Sequence, residues 1–151
     1  MLNPPAPNSQ VEVGGMEKTP ADQQPNETNP KLLTYFGKIQ GQKTKILIDG
    51  RSMGDFISEK MVKNAAIPVR KVEGFSILFP NGEASQCNKE TLETYLEIQD
   101  HREKVRLKVA PLPHHDIILG KPWLERWNLN INWRTNEIHI PSSKGTTVIF
   151  A

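Results

Sequence analysis

The sequence has one cysteine, Cys87, in 151 residues. A lone cysteine excludes an internal disulfide framework and a cysteine-based zinc centre. It fits a reducing compartment. No apolar run approaches the roughly 18–20 residues that span a bilayer. The N-terminus also lacks the apolar core of a secretion signal. A cytoplasmic chain with no membrane partner is therefore expected. Charge of one sign is missing as well: 19 Lys+Arg against 17 Asp+Glu leave a net +2. The basic residues are scattered through alternating patterns, so a nucleic-acid partner is not expected. There is no Gly-rich phosphate loop. The length rules out a TIM barrel or a two-lobed enzyme within one chain.

Aromatic residues are absent from residues 1–30, and all ten lie from Tyr35 onward. The same segment holds six of the twelve prolines and a net charge of −3 from Glu12, Glu17, Asp22 and Glu27 against Lys18. Such a stretch cannot bury enough apolar surface to offset its chain entropy. Residues 1–31 are read as a disordered, Pro-rich leader, and residues 32–151 as one domain long enough for a compact core.

Within that domain the hydrophobic pattern has mostly a period of two. Residues 32–40 and 43–49 flank Gly41-Gln42 and predict a β-hairpin. Residues 55–66 carry Phe56, Ile57, Met61, Val62 and Ala65 at helical spacing, with Ser52 or Asp55 as the cap. Phe75, Ile77 and Phe79 alternate toward Pro80-Asn81-Gly82, a hairpin-tip signal. Leu92, Leu96 and Ile98 alternate on one strand, and Val105, Leu107 and Val109 on its partner, with residues 100–103 as the turn. Ile117-Ile118-Leu119 is a short apolar strand ending at Gly120. Residues 121–128 form one or two helical turns, Pro122 being tolerated in the first. Short strands follow. The fold class predicted is all-β, a closed or partly closed barrel of seven to nine strands with one short helix after Asp49 and one near the C-terminus.

The chemistry centres on residues 46–58. Here an apolar strand ends on a carboxylate, a tight turn follows, and a helix starts. A carboxylate at the end of a buried strand is costly unless it is hydrogen-bonded or serves a function. On these residues alone, Asp49 either caps the turn through backbone N–H groups or is a functional acid.

A second unit bears on that choice. Ile46-Leu47-Ile48-Asp49, Phe56-Ile57-Ser58, Ile118-Leu119-Gly120 and Trp123-Leu124 occur in an order and spacing that resemble the retropepsin-like aspartic proteases, most closely those of Ty3/gypsy-type retrotransposon polyproteins. In that family a strand ends Asp-Ser/Thr-Gly, a segment often reading Asn-Phe-Ile-Ser follows, and a hydrophobic–Leu–Gly strand comes about 60 residues later. Asn132-Trp133 resembles the Asp-Trp that often follows. Phe79, Pro80, Asn81, Gly82, Glu83 and Ala84 sit where the family places its flap. The resemblance covers residues 37–140.

The resemblance implies an acid-protease barrel with a hairpin flap, and Asp49 as the catalytic residue. Gly50, Arg51 and Ser52 complete the active-site loop, and Ile118, Leu119 and Gly120 support the dyad. Each protomer donates one Asp, so a homodimer is implied. Two close carboxylates share one proton. The ionised member then activates a water while the protonated one polarises the scissile carbonyl of an extended polypeptide. No metal or cofactor is implied.

The match breaks at two positions. The family's Asp-Ser/Thr-Gly reads Asp49-Gly50-Arg51 here. Gly50 has no hydroxyl for the bonds that lock the two loops across the dimer, a loss of ~1 kcal/mol per bond. If the Arg51 guanidinium folds inward it favours the ionised carboxylate and removes the shared proton. If it folds outward the backbone must still accept a side chain. Reduced or lost activity is expected, and a non-catalytic dimerisation or peptide-binding module is the alternative.

Other groupings carry less. His114 and His115 are adjacent on an extended segment and point to opposite faces, so they do not share a metal. Ser52, His114 and Asp116 form a triad only on paper, without a nucleophile elbow. Trp123 and Trp127, four residues apart, are read as packing the last helix against the barrel.

Overall fold

The computed structural model describes residues 10–12, 33–79, 81–129, 131–142 and 145–151. In chain order the strands are β1 (Gln10–Glu12), β2 (Leu33–Ile39), β3 (Gln42–Ile48), β4 (Phe56–Ser58), β5 (Val69–Leu78), β6 (Ala84–Thr91), β7 (Thr94–Ile98), β8 (His101–Val105), β9 (Lys108–Ala110), β10 (Ile117–Leu119), β11 (Ile131–Asn132), β12 (Glu137–Ser142) and β13 (Gly145–Phe150). The helices are α1 (Glu59–Asn64) and α2 (Lys121–Trp127). The fold is all-β, with α2 where the sequence places it and α1 shorter than its predicted span of 55–66. Of the expected leader, Gln10–Glu12 form β1, and the rest of it lies outside the described residues.

Ten strands form one sheet in the order β1-β5-β6-β9-β4-β10-β3-β2-β7-β8, and β11-β12-β13 form a second. The predicted first hairpin is β2–β3, in register from Leu33↔Ile48 to Ile39↔Gln42. The next segment differs from its helical reading. Phe56-Ile57-Ser58 is a strand, and the helix starts only at Glu59, capped by the Ser58 hydroxyl accepting from the Met61 N–H at 2.9 Å. All three strand residues are buried, because β4 lies between β9 and β10. A short apolar run reads equally as strand or helix until its neighbours are known.

β10 is the organising strand. It pairs parallel with β3, Leu119 opposite Ile48, and antiparallel with β4. Ile117 and Leu119 face a core that holds Tyr35, Ile46, Ile48, Ile57 and Trp123. Ile118 faces a second core with Leu47, Phe56, Phe75 and Ile77. A strand buried on both faces reads as continuous Ile-Ile-Leu, without alternation.

The turn assigned to residues 100–103 is also displaced. β7 and β8 meet at Gln99-Asp100, with Gln99 at φ 56°. His101 and Glu103 are therefore strand residues on the same face as buried Val105. Gln99 also ties the two sheets together. Its amide donates to the Phe150 carbonyl (2.6 Å) and accepts from the Phe150 N–H (3.0 Å), fastening β13 to the large sheet.

Candidate active site

Asp49 is the first residue past β3. Its backbone N–H donates to the Leu119 carbonyl (2.9 Å), extending the β3–β10 ladder by one bond. Its carbonyl accepts from the Ser52 N–H (3.0 Å), which closes the turn. The residue is 4 % exposed. Oδ1 accepts from the Arg51 backbone N–H at 2.9 Å and faces Arg51 Nε at 3.4 Å. Oδ2 is buried and has no partner among the described residues. Leaving a buried carboxylate oxygen unpaired costs on the order of 1–3 kcal/mol. The carboxylate thus has one oxygen satisfied by its own loop and one buried without a partner among the described residues.

The two departures from the Asp-Ser/Thr-Gly pattern sit differently in the structure. A Cβ on Gly50 would meet only Leu124 Cδ1, at an ordinary 3.5 Å, so a side chain fits there. Arg51 follows neither the fully inward nor the fully outward course. Nε faces Asp49 while the side chain stays 56 % exposed. Ser52 is fully buried, and its hydroxyl donates to the Gly54 carbonyl at 2.8 Å.

Gly120 pins this loop from the other side. A Cβ there would fall on the Ser52 and Gly54 carbonyl oxygens, so the position has room for hydrogen only. The next residue, Lys121, donates its N–H to the Ser52 carbonyl (2.8 Å). Ile118 and Leu119 are fully buried beneath the loop. Of the residues expected to hold the loop, Leu119 thus meets Asp49 directly through its carbonyl, and Gly120 packs against Ser52 and Gly54.

Asp55 carries more than its place in the sequence suggests. It does not cap α1. Its Oδ1 accepts the Gly120 N–H at 2.8 Å, at the start of α2, where Gly120 itself supplies no side-chain cap. Burial pushes the Asp55 carboxyl up from 3.8 to about 6. The backbone N–H groups of Gly120 and Trp123 and the Arg126 charge oppose that rise, and Glu103 adds to it.

Glu103 anchors a buried polar cluster under α2. Its Oε2 accepts from Trp123 Nε1 (2.7 Å) and meets His101 Nε2 at 2.6 Å, and its Oε1 accepts from Arg126 Nη1 (3.2 Å). Burial alone would raise the Glu103 carboxyl. The bonds from His101 and Trp123, with the charges of His101 and Arg126, outweigh it and hold the group low. The His101 ring packs edge-on against Trp123 and Trp127, at 6.4 and 5.4 Å between centroids. The period-two spacing of His101, Glu103 and Val105 was the available signal for this cluster.

The flap position is a β-hairpin made by β5 and β6. At its tip the Phe79 N–H donates to the Glu83 carbonyl (2.8 Å), and Asn81 Oδ1 accepts the Glu83 N–H (2.9 Å). Gly82 turns with φ 90°. Pro80 lies outside the described residues. Asp116 is committed elsewhere, its Oδ2 accepting the Lys45 N–H at 2.8 Å. A groove on the outer side of β2–β3, between Phe36, Lys38, Lys43, Lys45, Glu97 and Asp116, does not include Asp49. No helix among the described residues is long and apolar enough to cross a membrane.

Comparison with known proteins agrees with this geometry. The family model of the PEG10/RTL1 protease domain matches residues 45–147, from within β3 to within β13. The retroviral protease-like domain of Ddi1 from Leishmania major superposes with a TM-score of 0.56 at 14% identity, over 79% of this chain and 94% of that one. EIAV protease, solved with the inhibitor HBY-793, gives a TM-score of 0.52 at 19% identity, over 68% of this chain and 94% of that one. At such identities the two structures speak for the retropepsin-like fold alone.

Proposed function

Because the chain belongs to the PEG10/RTL1 protease domain family, we propose that it is an aspartic endopeptidase-type domain whose dyad is assembled across a homodimer and largely silenced by Arg51. One observation carries this reading: the Arg51 backbone N–H and Nε both face Asp49 Oδ1, while Oδ2 is buried without a partner among the described residues. Oδ2 lacks a partner within the described residues, and an Asp49 brought up on a two-fold axis would supply one once the loop shifts to admit it. A dyad works by sharing a proton between carboxylates, one member activating water and the other polarising the carbonyl. A guanidinium nitrogen beside one of those oxygens competes for that place. Gly50 cannot supply the hydroxyl that would brace the two loops.

The Arg51 contact equally favours a module that keeps the peptide groove and no longer cleaves. Here the β5–β6 hairpin would still cover an extended peptide by main-chain pairing.

The test pairs the unaltered chain with Gly50→Ser/Arg51→Gly. The pocket beside Gly50 has room for the serine. Both forms are assayed for cleavage of a peptide library at mildly acidic pH, with Asp49→Asn as the blank and a pepstatin-like peptide as inhibitor. Their masses in solution are measured alongside. The restored chain should be a dimer that cleaves, orders of magnitude faster than the unaltered dimer. Equal cleavage by both forms would sink the silencing by Arg51. A monomer in both forms would sink the dyad.

A further inference from the structure

β5 is paired along one side by β6, from Val69↔Thr91 to Leu78↔Ala84, with a bulge between Lys71 and Phe75. Its other side would be a sheet edge but for β1, which runs parallel to it with Gln10 opposite Ser76, Val11 opposite Ile77 and Glu12 opposite Leu78. A three-residue strand has no stability of its own. It exists here because the edge of β5 offers unpaired N–H and C=O groups, the usual template for an added strand. The acceptor stretch lies past the bulge and runs directly into the hairpin tip at Phe79.

We infer that the outer edge of β5 at Ser76–Leu78 is a docking edge for one extended peptide strand, and that this chain fills it in cis with Gln10–Glu12. The inference rests on reading β5–β6 as the peptide-covering flap and adds to it a built-in competitor. Pairing of this kind draws its affinity from main-chain hydrogen bonds, so it accepts sequences of different side chains. A strand tethered to its own acceptor acts at an effective concentration on the order of millimolar. A peptide ligand that uses this edge must displace it first, and its apparent affinity falls in proportion.

The experiment uses the full chain and Val11→Pro, since proline removes an N–H and is not tolerated within a paired strand. Gln10→Pro/Glu12→Pro is the second variant, because alternate residues of a strand direct their N–H groups to opposite sides. Two readouts are taken: hydrogen exchange at the Ser76–Leu78 amides that face away from β6, and binding of a fluorescent peptide of residues 7–15 of this sequence. At least one variant should lose protection at those amides and bind the peptide about 10-fold more tightly than the unaltered chain. Unchanged protection in both variants would overturn the cis strand, whatever the peptide does. Lost protection with equal peptide affinity would overturn the competition while leaving the flap reading intact. Lost protection with no peptide binding to any form would overturn the peptide-binding reading of the flap, and the competition with it.

Discussion

Asp55 makes the start of α2 sensitive to pH, and the size of the effect follows from its surroundings. Its carboxyl moves from 3.8 to about 6 on folding because it is buried at the Gly120 N–H. A raised carboxyl binds its proton more tightly in the folded state. Its contribution to stability is therefore complete below pH 3.8 and is lost as the pH rises through about 6. The shift corresponds to at most about 3 kcal/mol between those limits. Glu103, held low, works in the opposite sense: its contribution is present above its ordinary value and is lost only in stronger acid. His115 is depressed from 6.5, chiefly by burial, and adds stability with rising pH. A difference measurement isolates Asp55 from both. Asp55→Asn keeps an oxygen for the Gly120 N–H and carries no charge, and asparagine is what the resembling proteases often have before Phe-Ile-Ser. Urea unfolding of both forms should be run from pH 3.5 to 7.5 at one protomer concentration, since any dimer makes stability concentration-dependent. The stability of Asp55→Asn relative to the parent should climb by about 2–3 kcal/mol across that range, most of it between pH 4 and 6. A difference that stays flat to within about 0.5 kcal/mol would refute this account. So would a carboxyl carbon titration by NMR that places Asp55 near 4.

Three further outcomes are expected. Gly120→Ala drives a methyl into the Ser52 and Gly54 carbonyls; it should cost ~3 kcal/mol or more, or prevent folding, as read by circular dichroism melting. Glu103→Gln removes the charge that pairs with Arg126 and accepts from Trp123; a loss of about 1.5–3 kcal/mol is expected at pH 7, shrinking in acid as the parent glutamate itself becomes protonated. Gln99→Ala frees both Phe150 backbone groups; hydrogen exchange along β13 should accelerate, with a loss of about 1–2 kcal/mol.

Much of this architecture is legible in the residues. Gly41 between two alternating runs gives β2–β3, and Pro122 in the first turn gives α2. Ile-Leu-Ile-Asp with Ile-Ile-Leu-Gly brings the Asp49 loop against β10. What escaped is of two kinds. Phe56-Ile57-Ser58 is apolar at a length that suits strand or helix, and only burial between β9 and β10 decides it. The roles of His101, Glu103 and Asp55 depend on partners far along the chain. Glu103 meets Trp123 across 20 residues and Asp55 meets Gly120 across 65. Charged residues next to Asp100 read as a wet turn until those donors are in place. Arg51 is a mixed case: its identity marks a departure, but only the structure puts Nε on the Asp49 side.

The loop that carries Asp49 has little freedom of its own. Asp49 hangs from Leu119 and Ser52 from Lys121, and the Ser52 and Gly54 carbonyls have their space because Gly120 has no side chain. The aspartate is in effect mounted on the front of α2, and the underside of α2 is bolted to Glu103 through Trp123 and Arg126. Adjusting the aim of the carboxylate therefore needs no change in the loop. A substitution under the helix, far from Asp49 in sequence, turns the same mount from behind.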